Sequence, residues 1–345
     1  MQNNRLLSLL SKLKEEGPTL HNHFNSRVLI VDGMNTFLRS FAVDNRINYH
    51  GHHIGGIAGF LKSIGYAIRN ENPSRVIIVF DGEGGAINRQ YLYPEYKKNR
   101  NTGNLVNKKA FDSVYEESEA KNNEIEKLVE YLQLLPVTLI AVDKLEADDV
   151  IGYVSRKLYH DDPNCHICIM SSDNDFLQLV NDRTKCYSPT KKKHYQELEV
   201  LEEFGVHPRN YLLYKCFLGD TSDNIKGIHG IGEKKIIKLF PQISLPEAVT
   251  MDSIYETCDN PPCNSKMYDR VLEGKRILFI NEQIMNLSRP NIADFQREFI
   301  DQEIEKIPVH LRKFDFISLY NADGMGGAIP GVESWVNVFS KLNRH

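Results

Sequence analysis

The residues that could most clearly bind a metal ion or take part in a reaction lie in the stretch KLEADDVIGYVSRKL, residues 144–158. Apolar side chains at helical spacing follow its acids and predict an amphipathic helix that begins near Ala147. Acids in a first turn are favoured by the helix dipole. Glu146 and Asp149 nevertheless share a face with Asp148 beside them, and two carboxylates about 5 Å apart repel by roughly 3 kcal/mol at an effective dielectric constant of about 20. A divalent cation is the usual compensation for such crowding.

Four apolar, β-branched runs predict strands, and helical patterns separate them. Continuous apolar strands that alternate with helices indicate an α/β fold with a mainly parallel central sheet flanked by helices. Each run ends in an acid, at the sheet edge where α/β proteins bind ligands. The predicted strands are residues 27–33, 74–82, 137–143 and 165–175, and their terminal acids are Asp32, Asp81, Asp143 and Asp173.

These acids and the helix-start cluster predict one shared acidic pocket. Aspartate at a strand end is also a common turn residue, and for any single position the turn is the more frequent role. Four in succession favour the pocket. Ligands that are all carboxylates suit hard ions such as Mg²⁺ or Mn²⁺. The predicted members are Asp32, Asp81, Glu146, Asp148, Asp149, Asp173 and Asp175.

The second half of the chain contains LGDTSDNIKGIHGIGEKKIIKLF, residues 218–240. Asp220 and Asp223 form another acid pair three residues apart. A glycine-rich turn then opens a helix, which is typical of a helix-hairpin-helix motif that holds a nucleic-acid backbone without reading bases. The alternative is an ordinary glycine-rich connection with a solvated lysine face. The predicted contacts are Lys226, Gly227, Gly230, Gly232, Lys234 and Lys235.

An arch-like segment, residues 84–122, lies between the second and third predicted strands and is basic near its start. Tyr96 and its neighbouring tyrosines can stack on bases, while Lys97, Lys98 and Arg100 can meet phosphates. A charge run is more often a solvated loop. The position of this segment beside the acidic edge favours a nucleic-acid contact.

The overall composition is that of a soluble globular protein, with 41% hydrophobic and 26% charged residues. The net charge of -4 does not exclude nucleic acid, because it sums a basic segment and acid clusters. No apolar run approaches transmembrane length. The leucine-rich start predicts an amphipathic helix in an N-terminal extension, residues 1–26, and not a secretory signal. We therefore expect a cytoplasmic protein, located in the host cytoplasm if a phage encodes it.

Six motifs, in order, resemble the 5′-nuclease (flap endonuclease) family, particularly its phage-type members related to phage ribonuclease H. They are LIVDGMNTFLRSF, VIIVFDG, YPEYKKNR, LEADDVIGYV, SSDNDFLQLV and GDTSDNIKGIHGIGEKK, and they span residues 29 to about 240. The resemblance implies the PIN-like fold of that family. It divides the chain into the extension 1–26, an α/β nuclease core 27–195 and a helical region 196–345, with the duplex-binding motif at 218–240.

The resemblance also implies roles for individual residues. One metal cluster would use Asp32, Asp81, Glu146 and Asp148, with Asp149 at its edge, and a second would use Asp173, Asp175, Asp220 and Asp223. The basic residues Lys97 and Arg100 would face the scissile phosphate, and Arg39 would also contact the substrate. A potassium ion would assist the glycine-rich turn. Two divalent ions can activate water and stabilise the leaving oxygen of an in-line displacement.

The expected enzyme is a metal-dependent 5′-3′ exonuclease and flap endonuclease that leaves a 5′-phosphate and a 3′-hydroxyl. Its expected substrates are branched or nicked duplex DNA with a 5′ flap and RNA/DNA hybrids in replication or repair. We expect a monomer that contacts replication proteins and no membrane. The sequence leaves two choices open, the preference for DNA or an RNA primer and the balance between exonuclease and flap-endonuclease action.

Two other functions are compatible with parts of the pattern. An acidic-cluster ribonuclease acting on single-stranded RNA would not need the duplex-binding turn. An inactive module that binds branched nucleic acid would not need the acids, yet every acid position of the family is filled. A third possibility, a phosphatase of another α/β fold, would need a nucleophile motif that this sequence lacks, and it would leave the basic segment unexplained. We therefore favour the active 5′-nuclease.

Overall fold

A six-stranded sheet organises the chain, in the order β3-β2-β1-β4-β5-β6. The computed structural model describes residues 24–100 and 103–343. Strands β1 to β5 are parallel, and β6 pairs antiparallel with β5. The predicted helix at residues 1–26 lies almost entirely outside the described residues. The strands of the sheet are β1 Arg27–Asp32, β2 Arg75–Asp81, β3 Thr138–Val142, β4 His166–Met170, β5 Thr184–Ser188 and β6 Lys193–Tyr195.

A two-stranded hairpin stands apart from this sheet and consists of β7 Gly219–Asp220 and β8 Ile225–Lys226. Helices occupy most of the remaining described chain. They are α1 Gly33–Phe41, α2 Gly55–Glu71, α3 Ile87–Leu92, α4 Val114–Leu132, α5 Ala147–Asp161, α6 Glu197–Phe204, α7 Tyr211–Leu218, α8 Glu233–Leu239, α9 Met251–Asp259, α10 Lys266–Glu273, α11 Lys275–Met285, α12 Asp294–Glu305, α13 Lys313–Ala322 and α14 Val332–Val336.

Apolar side chains cover both faces of the sheet, as the continuous apolar strands predict. Because successive strand residues point to opposite faces, Val28 and Ile30 belong to one apolar cluster, and Leu29 and Val31 belong to the other. Helix α5 and the helices between residues 197 and 304 build the first cluster. Helices α1, α2 and α4 and the chain after residue 311 build the second. The expected α/β architecture is confirmed.

Strands β5 and β6 were not among the four predicted strands. They are short and contain Thr184, Lys185, Lys193 and His194, so they lack the apolar continuity of strands β1 to β4. Helix α4 also begins at Val114, well before its apolar stripe, because Ser113 caps it through a bond to the Glu116 amide at 3.2 Å.

The last described residues return to the α2 face of the sheet. Trp335 is 3% exposed and packs against Phe316 and Phe339, with ring centroids 5.5 and 4.9 Å away. Its indole lies over Gly65 of α2, where an added Cβ would stand 2.2 Å from the indole nitrogen. The predicted division of the chain at residue 195 stays a prediction. Within the described ranges, no helix combines the length and apolarity needed to cross a bilayer.

We expect Trp335→Ala to lower the free energy of unfolding by about 3–5 kcal/mol, because a large buried aromatic side chain leaves a cavity when it is truncated. Urea unfolding followed by circular dichroism measures this change. Phe314→Ala is the matched control. Phe314 lies in the same part of the chain but is 87% exposed, so its loss should change stability by less than about 0.5 kcal/mol. Equal effects of the two substitutions would contradict the packing role of Trp335.

Candidate active site

The carboxyl ends of neighbouring parallel strands bring acids to one edge of the sheet. Asp32 is the last residue of β1 and caps α1, since its Oδ1 accepts a hydrogen bond from the Asn35 amide at 3.0 Å. Asp81 ends β2, and its Oδ1 accepts from the Ala147 amide at 2.8 Å. This bond ties the end of β2 to the first turn of α5, which carries the acids of the LEADD motif.

Asp148 lies among the carboxylates that the sequence placed in one pocket. Its charge contributes to raising the pKa values of Asp32, Asp149 and Asp173. Since Asp32, Asp148 and Asp173 come from β1, α5 and the loop after β4, the fold unites residues that are far apart in sequence. Asp143, the fourth strand-end acid, is exposed, and its carbonyl accepts from Gln296 at 2.8 Å.

Burial sets the protonation of the inner acids. Asp32 is 9% exposed, and desolvation raises its pKa to about 7, against hydrogen bonds from Asn35 and Ser171 that lower it. Desolvation also raises the pKa of Asp149 to about 7, although the Arg89 charge opposes the shift. The pKa of Asp173 rises to about 6 for the same reason. These carboxyls therefore hold protons far above the pH at which a solvated aspartate loses them.

Glu146 behaves differently because its oxygens face positive charge. Lys97 contacts Oε1, while Arg89 and the Tyr96 hydroxyl, the latter at 2.7 Å, donate to Oε2. Burial works against the carboxylate form, but the charges of Arg89 and Lys97 outweigh it and lower the pKa of Glu146. Lys97 adopts a left-handed backbone (φ 57°) that is uncommon for a side chain of its size.

Arg89 belongs to the arch-like segment, and its guanidinium contacts all three acids at the start of α5. Besides Glu146, it bonds Asp148 at 3.0 Å and Asp149 at 2.8 Å. Its Nε donates to the Ile284 carbonyl at 2.8 Å. The sequence signal for it is its place in the basic segment, eight residues before Lys97, but nothing in that run separates it from a solvated charge.

A second group of acids surrounds Lys215, which sequence reasoning missed. Its ammonium lies 2.7 Å from Asp175 and 2.8 Å from Asp220. Desolvation raises the pKa of Asp175 to about 7 despite this lysine. Desolvation also opposes ionisation of Asp220, but bonds from Lys215 and Ser222 dominate and lower its pKa to about 2. Lys215 lies on α7, five residues before Asp220. The only feature of the sequence that could have pointed to this contact is the predicted helix just before Asp220.

Asp223 lies in the loop between β7 and β8 and connects the hairpin to the arch-like segment. Its carboxylate pairs with Arg100 and accepts from the Tyr96 hydroxyl at 3.3 Å. Its carbonyl accepts from the Lys97 amide at 2.9 Å. The neighbouring Asn224 side chain donates to the Glu95 carbonyl at 2.7 Å. Residues 95–100, the base of the arch-like segment, are thereby joined directly to the hairpin.

Among the described residues, no three carboxylates, histidines or thiols converge closely enough to form a ready coordination shell. The physical reason is visible in the ion pairs, because Arg89, Lys97, Arg100 and Lys215 each draw one or more carboxylates toward themselves. The acids are assembled at one edge, but many of them are oriented toward the chain's own cations, namely Glu146, Asp148, Asp149, Asp175, Asp220 and Asp223.

Tyr96 and Lys98, both expected to contact nucleic acid, have different surroundings. Tyr96 is 2% exposed, and its hydroxyl is bound to carboxylates, so its ring is not available for stacking in this conformation. Lys97 lies 4.9 Å from the centre of that ring. Lys98 is exposed and pairs with Glu95 at 2.6 Å.

The glycine-rich turn precedes α8 as predicted. The structural reason why glycine fits differs from one position of the turn to the next. Gly227 packs internally, because an added Cβ would stand 2.3 Å from the Phe217 and Leu218 carbonyls. Gly230 has a left-handed backbone (φ 79°) that favours glycine. Gly232 faces open space and is free for close approach by another molecule. The lysines around the turn are exposed, and they are Lys226, Lys234 and Lys235.

Arg39 does not bond any of the acids. It is half-buried, donates to Ser63 at 2.9 Å and lines a cavity of about 650 Å³ with three further cations. Burial lowers the pKa of Arg39. Of the residues described, no carboxylate lies within ion-pair distance of any of the four cations, which are Arg39, Lys62, Arg69 and Lys192.

Comparison with known proteins identifies relatives of this chain. Residues 27–205 match the family described as 5′-3′ exonuclease, N-terminal resolvase-like domain. A 5′-3′ exonuclease of Aquifex aeolicus (strain VF5) is 26% identical over 286 residues, which cover 81% of this chain and 92% of the relative. DNA polymerase I of Lactococcus lactis subsp. cremoris (strain MG1363) is 28% identical over 275 residues, covering 76% of this chain but only 29% of the polymerase.

The fold has a solved counterpart in the phage T5 D15 protein crystallised with metal ions. The two structures superpose with a TM-score of 0.63 at 20% sequence identity, over 85% of this chain and 99% of the T5 protein. This likeness confirms the expected fold. The family match extends over more than half of the chain and confirms the expected nuclease activity. The chain belongs to the 5′-3′ exonuclease family.

Proposed function

We propose that this chain is a structure-specific nuclease that hydrolyses phosphodiester bonds near junctions between single-stranded and duplex DNA and leaves a 5′-phosphate and a 3′-hydroxyl. The observation that carries the proposal is the direct connection between the acid edge, the base of the arch and the β7–β8 hairpin. Lys97 is the clearest case, because it contacts Glu146 through its side chain and Asp223 through its amide. A variant of the phage T5 D15 flap endonuclease has been crystallised in a complex with DNA and metal ions.

The carboxylates fit divalent metal ions by their chemistry. Donor groups that are all carboxylates suit Mg²⁺ or Mn²⁺, and burial raises the pKa values of Asp32 and Asp149 to about 7, a shift that a bound divalent ion would oppose by favouring the ionised carboxylates. Two ions, when bound, would supply Lewis-acid activation of water and stabilisation of the leaving oxygen. One ion would use Asp32, Asp81, Glu146 and Asp148, and the other would use Asp173, Asp175, Asp220 and Asp223.

Lys97 and Arg100 are the proposed phosphate contacts. Each pairs with a carboxylate of a different proposed metal group, Lys97 with Glu146 and Arg100 with Asp223. A phosphodiester is another anion that these cations can pair with at the same edge. There they would stabilise the negative charge that develops on the phosphoryl oxygens during displacement.

The hairpin and glycine-rich turn are the proposed duplex contact. Gly232 leaves room for a phosphate backbone, and the exposed Lys226 and Lys234 add positive charge. A potassium ion held by the turn would complete this contact. Since Asp223 belongs to the same hairpin, duplex bound here would stand at a set distance from the acids.

The cavity around Arg39 is the proposed path for a further phosphate of the substrate. Among the described residues its cations form no ion pair with a carboxylate, so an anion would not have to displace one. We also propose nicked or flapped duplex DNA and RNA/DNA hybrids as substrates, replication proteins as partners, a monomeric state and a cytoplasmic location.

The direct test uses a duplex with a labelled single-stranded 5′ flap, incubated with Mg²⁺ or with EDTA. We expect cutting near the junction that requires the metal. Asp148→Ala should reduce turnover by more than roughly a hundredfold while leaving duplex affinity within about threefold, because Asp148 lies among the proposed ligands and away from the duplex-binding lysines.

Asp143→Ala is the matched control, since Asp143 also follows a strand but is exposed outside the cluster. It should cut at the wild-type rate. Tight flap binding without cutting in Mg²⁺ or Mn²⁺ would instead identify an inactive binding module. Cutting of single-stranded RNA with no preference for a duplex junction would favour the ribonuclease.

Lys234→Gln should weaken duplex binding and lower the slope of log affinity against log salt by about one, as loss of one phosphate contact predicts. Fluorescence anisotropy with duplex DNA at several salt concentrations measures both quantities. Lys238→Gln removes the same charge one turn further along α8. A salt slope that changes equally in the two variants would reject a specific contact at the turn.

Metal binding should depend on pH because desolvation raises the pKa values of the proposed ligands Asp32 and Asp175 to about 7. A raised pKa stabilises the fold below the ordinary pKa near 4, and this contribution is lost as the pH rises through 7. Metal ions need the ionised carboxylates. The increase in Tm caused by Mn²⁺ should therefore be larger at pH 8 than at pH 5.5, and differential scanning fluorimetry would reveal a contrary trend.

A further inference from the structure

Arg89 occupies a position in the acid cluster that no metal assignment includes. It lies on α3, within the arch-like segment, and is 6% exposed. Each of its guanidinium nitrogens has a partner. Nη1 bonds Glu146 and Asp148, Nη2 bonds Asp149, and Nε bonds the Ile284 carbonyl. A buried arginine with a partner for every nitrogen indicates a built contact and not a surface charge that happens to lie near acids.

The shape of the guanidinium makes this contact a geometric constraint. Its N–H groups radiate in one plane at fixed angles, so carboxylates bonded to it are held in fixed relation to one another. Asp148 receives a second constraint, since its Oδ1 also accepts from the Asp149 amide at 2.8 Å. The bond to the Ile284 carbonyl anchors the guanidinium to the end of α11, outside the acid cluster.

The charge of Arg89 is permanent, because a guanidinium keeps its proton throughout the range in which proteins are stable. Arg89 also differs from Lys97 in its contacts, because the single ammonium group of Lys97 can exchange one anionic partner for another. The side chains of Arg89 and Asp149 are 8% and 14% exposed, which leaves little room for a hydrated ion between them. Arg89 is therefore a permanent positive charge within the group of acids at the start of α5.

We propose that Arg89 is a positioning residue that orients Glu146 and Asp148 for the divalent ions and engages Asp149, so that Asp149 is a partner of Arg89 and not a metal ligand. The inference rests on the proposed metal-dependent function. It revises the expected place of Asp149 at the edge of the first metal group. It also makes the arch-like segment, through α3, a structural part of the metal site.

The experiment measures Mn²⁺ binding to the full chain without nucleic acid, by isothermal titration calorimetry, beside steady-state cutting of the flap substrate. Arg89→Met removes the charge and the fork. It should tighten Mn²⁺ binding by roughly tenfold, which Coulomb's law gives for a unit charge about 6 Å from a divalent ion even at the dielectric constant of water. The kcat should nevertheless fall by about a hundredfold, because Glu146 and Asp148 lose their orientation.

Two further variants separate charge from geometry. Arg89→Lys keeps the charge but not the fork, so Mn²⁺ affinity should stay within about threefold of the wild type while kcat is only partly recovered relative to Arg89→Met. Asp149→Asn should leave the number of bound Mn²⁺ ions unchanged. Arg46→Met is the control for charge removal, because Arg46 pairs with Asp44 and shares no partner with Arg89.

The outcomes distinguish this inference from the proposed function. A wild-type chain that binds no Mn²⁺ would reject the metal-dependent function itself. Wild-type binding together with loss of an ion in Asp149→Asn would make Asp149 a ligand and overturn the inference. So would a folded Arg89→Met with the kcat of the wild type, because cutting would then not depend on the proposed orientation of Glu146 and Asp148. If Arg89→Met does not fold, the Arg89→Lys and Asp149→Asn measurements still decide the question.

Discussion

Electrostatic repulsion between carboxylates is the constraint on which this structure depends. Parallel strands end at one edge, and the fold uses that edge to collect acids from β1, β2, α5, the loop after β4 and the β7–β8 hairpin. Such crowding is compensated in two ways at once. Some carboxyls, such as Asp32, have pKa values raised to about 7 by desolvation, while others, such as Glu146, remain charged against a lysine or an arginine.

Most of the compensating ion pairs join residues that lie far apart in sequence, although Lys215 is only five residues from Asp220. Arg89 and Lys97 belong to the arch-like segment, and Lys215 belongs to α7. The same charges that make the acid edge tolerable therefore hold the arch base and the hairpin against it. Removal of a cation would change both the charge and the shape of the site, which links the stability of this region to its chemistry.

Much of the fold and of the acid cluster could be predicted from local patterns. Apolar β-branched runs identify strands β1 to β4 because a parallel strand covered on both faces needs apolar side chains on both faces. The acids could be grouped because parallel strands of one sheet end at one edge. Strands β5 and β6 escaped because they are short and carry polar residues such as Lys185 and Lys193, which interrupt the apolar pattern. Tyr96 was expected to stack on bases because a pattern of aromatic and basic residues does not reveal burial.

The sequence by itself determined the family, strands β1 to β4, the acid positions and the glycine-rich turn, since each depends on residue type and short-range spacing. Only the tertiary structure decided which charges neutralise which acids. Arg89 and Asp149 are 60 residues apart and meet only because β2, α3 and α5 converge at the sheet edge. No local spacing encodes such a contact, because its energy depends on distance in space and on exclusion of water, and both arise when the chain packs.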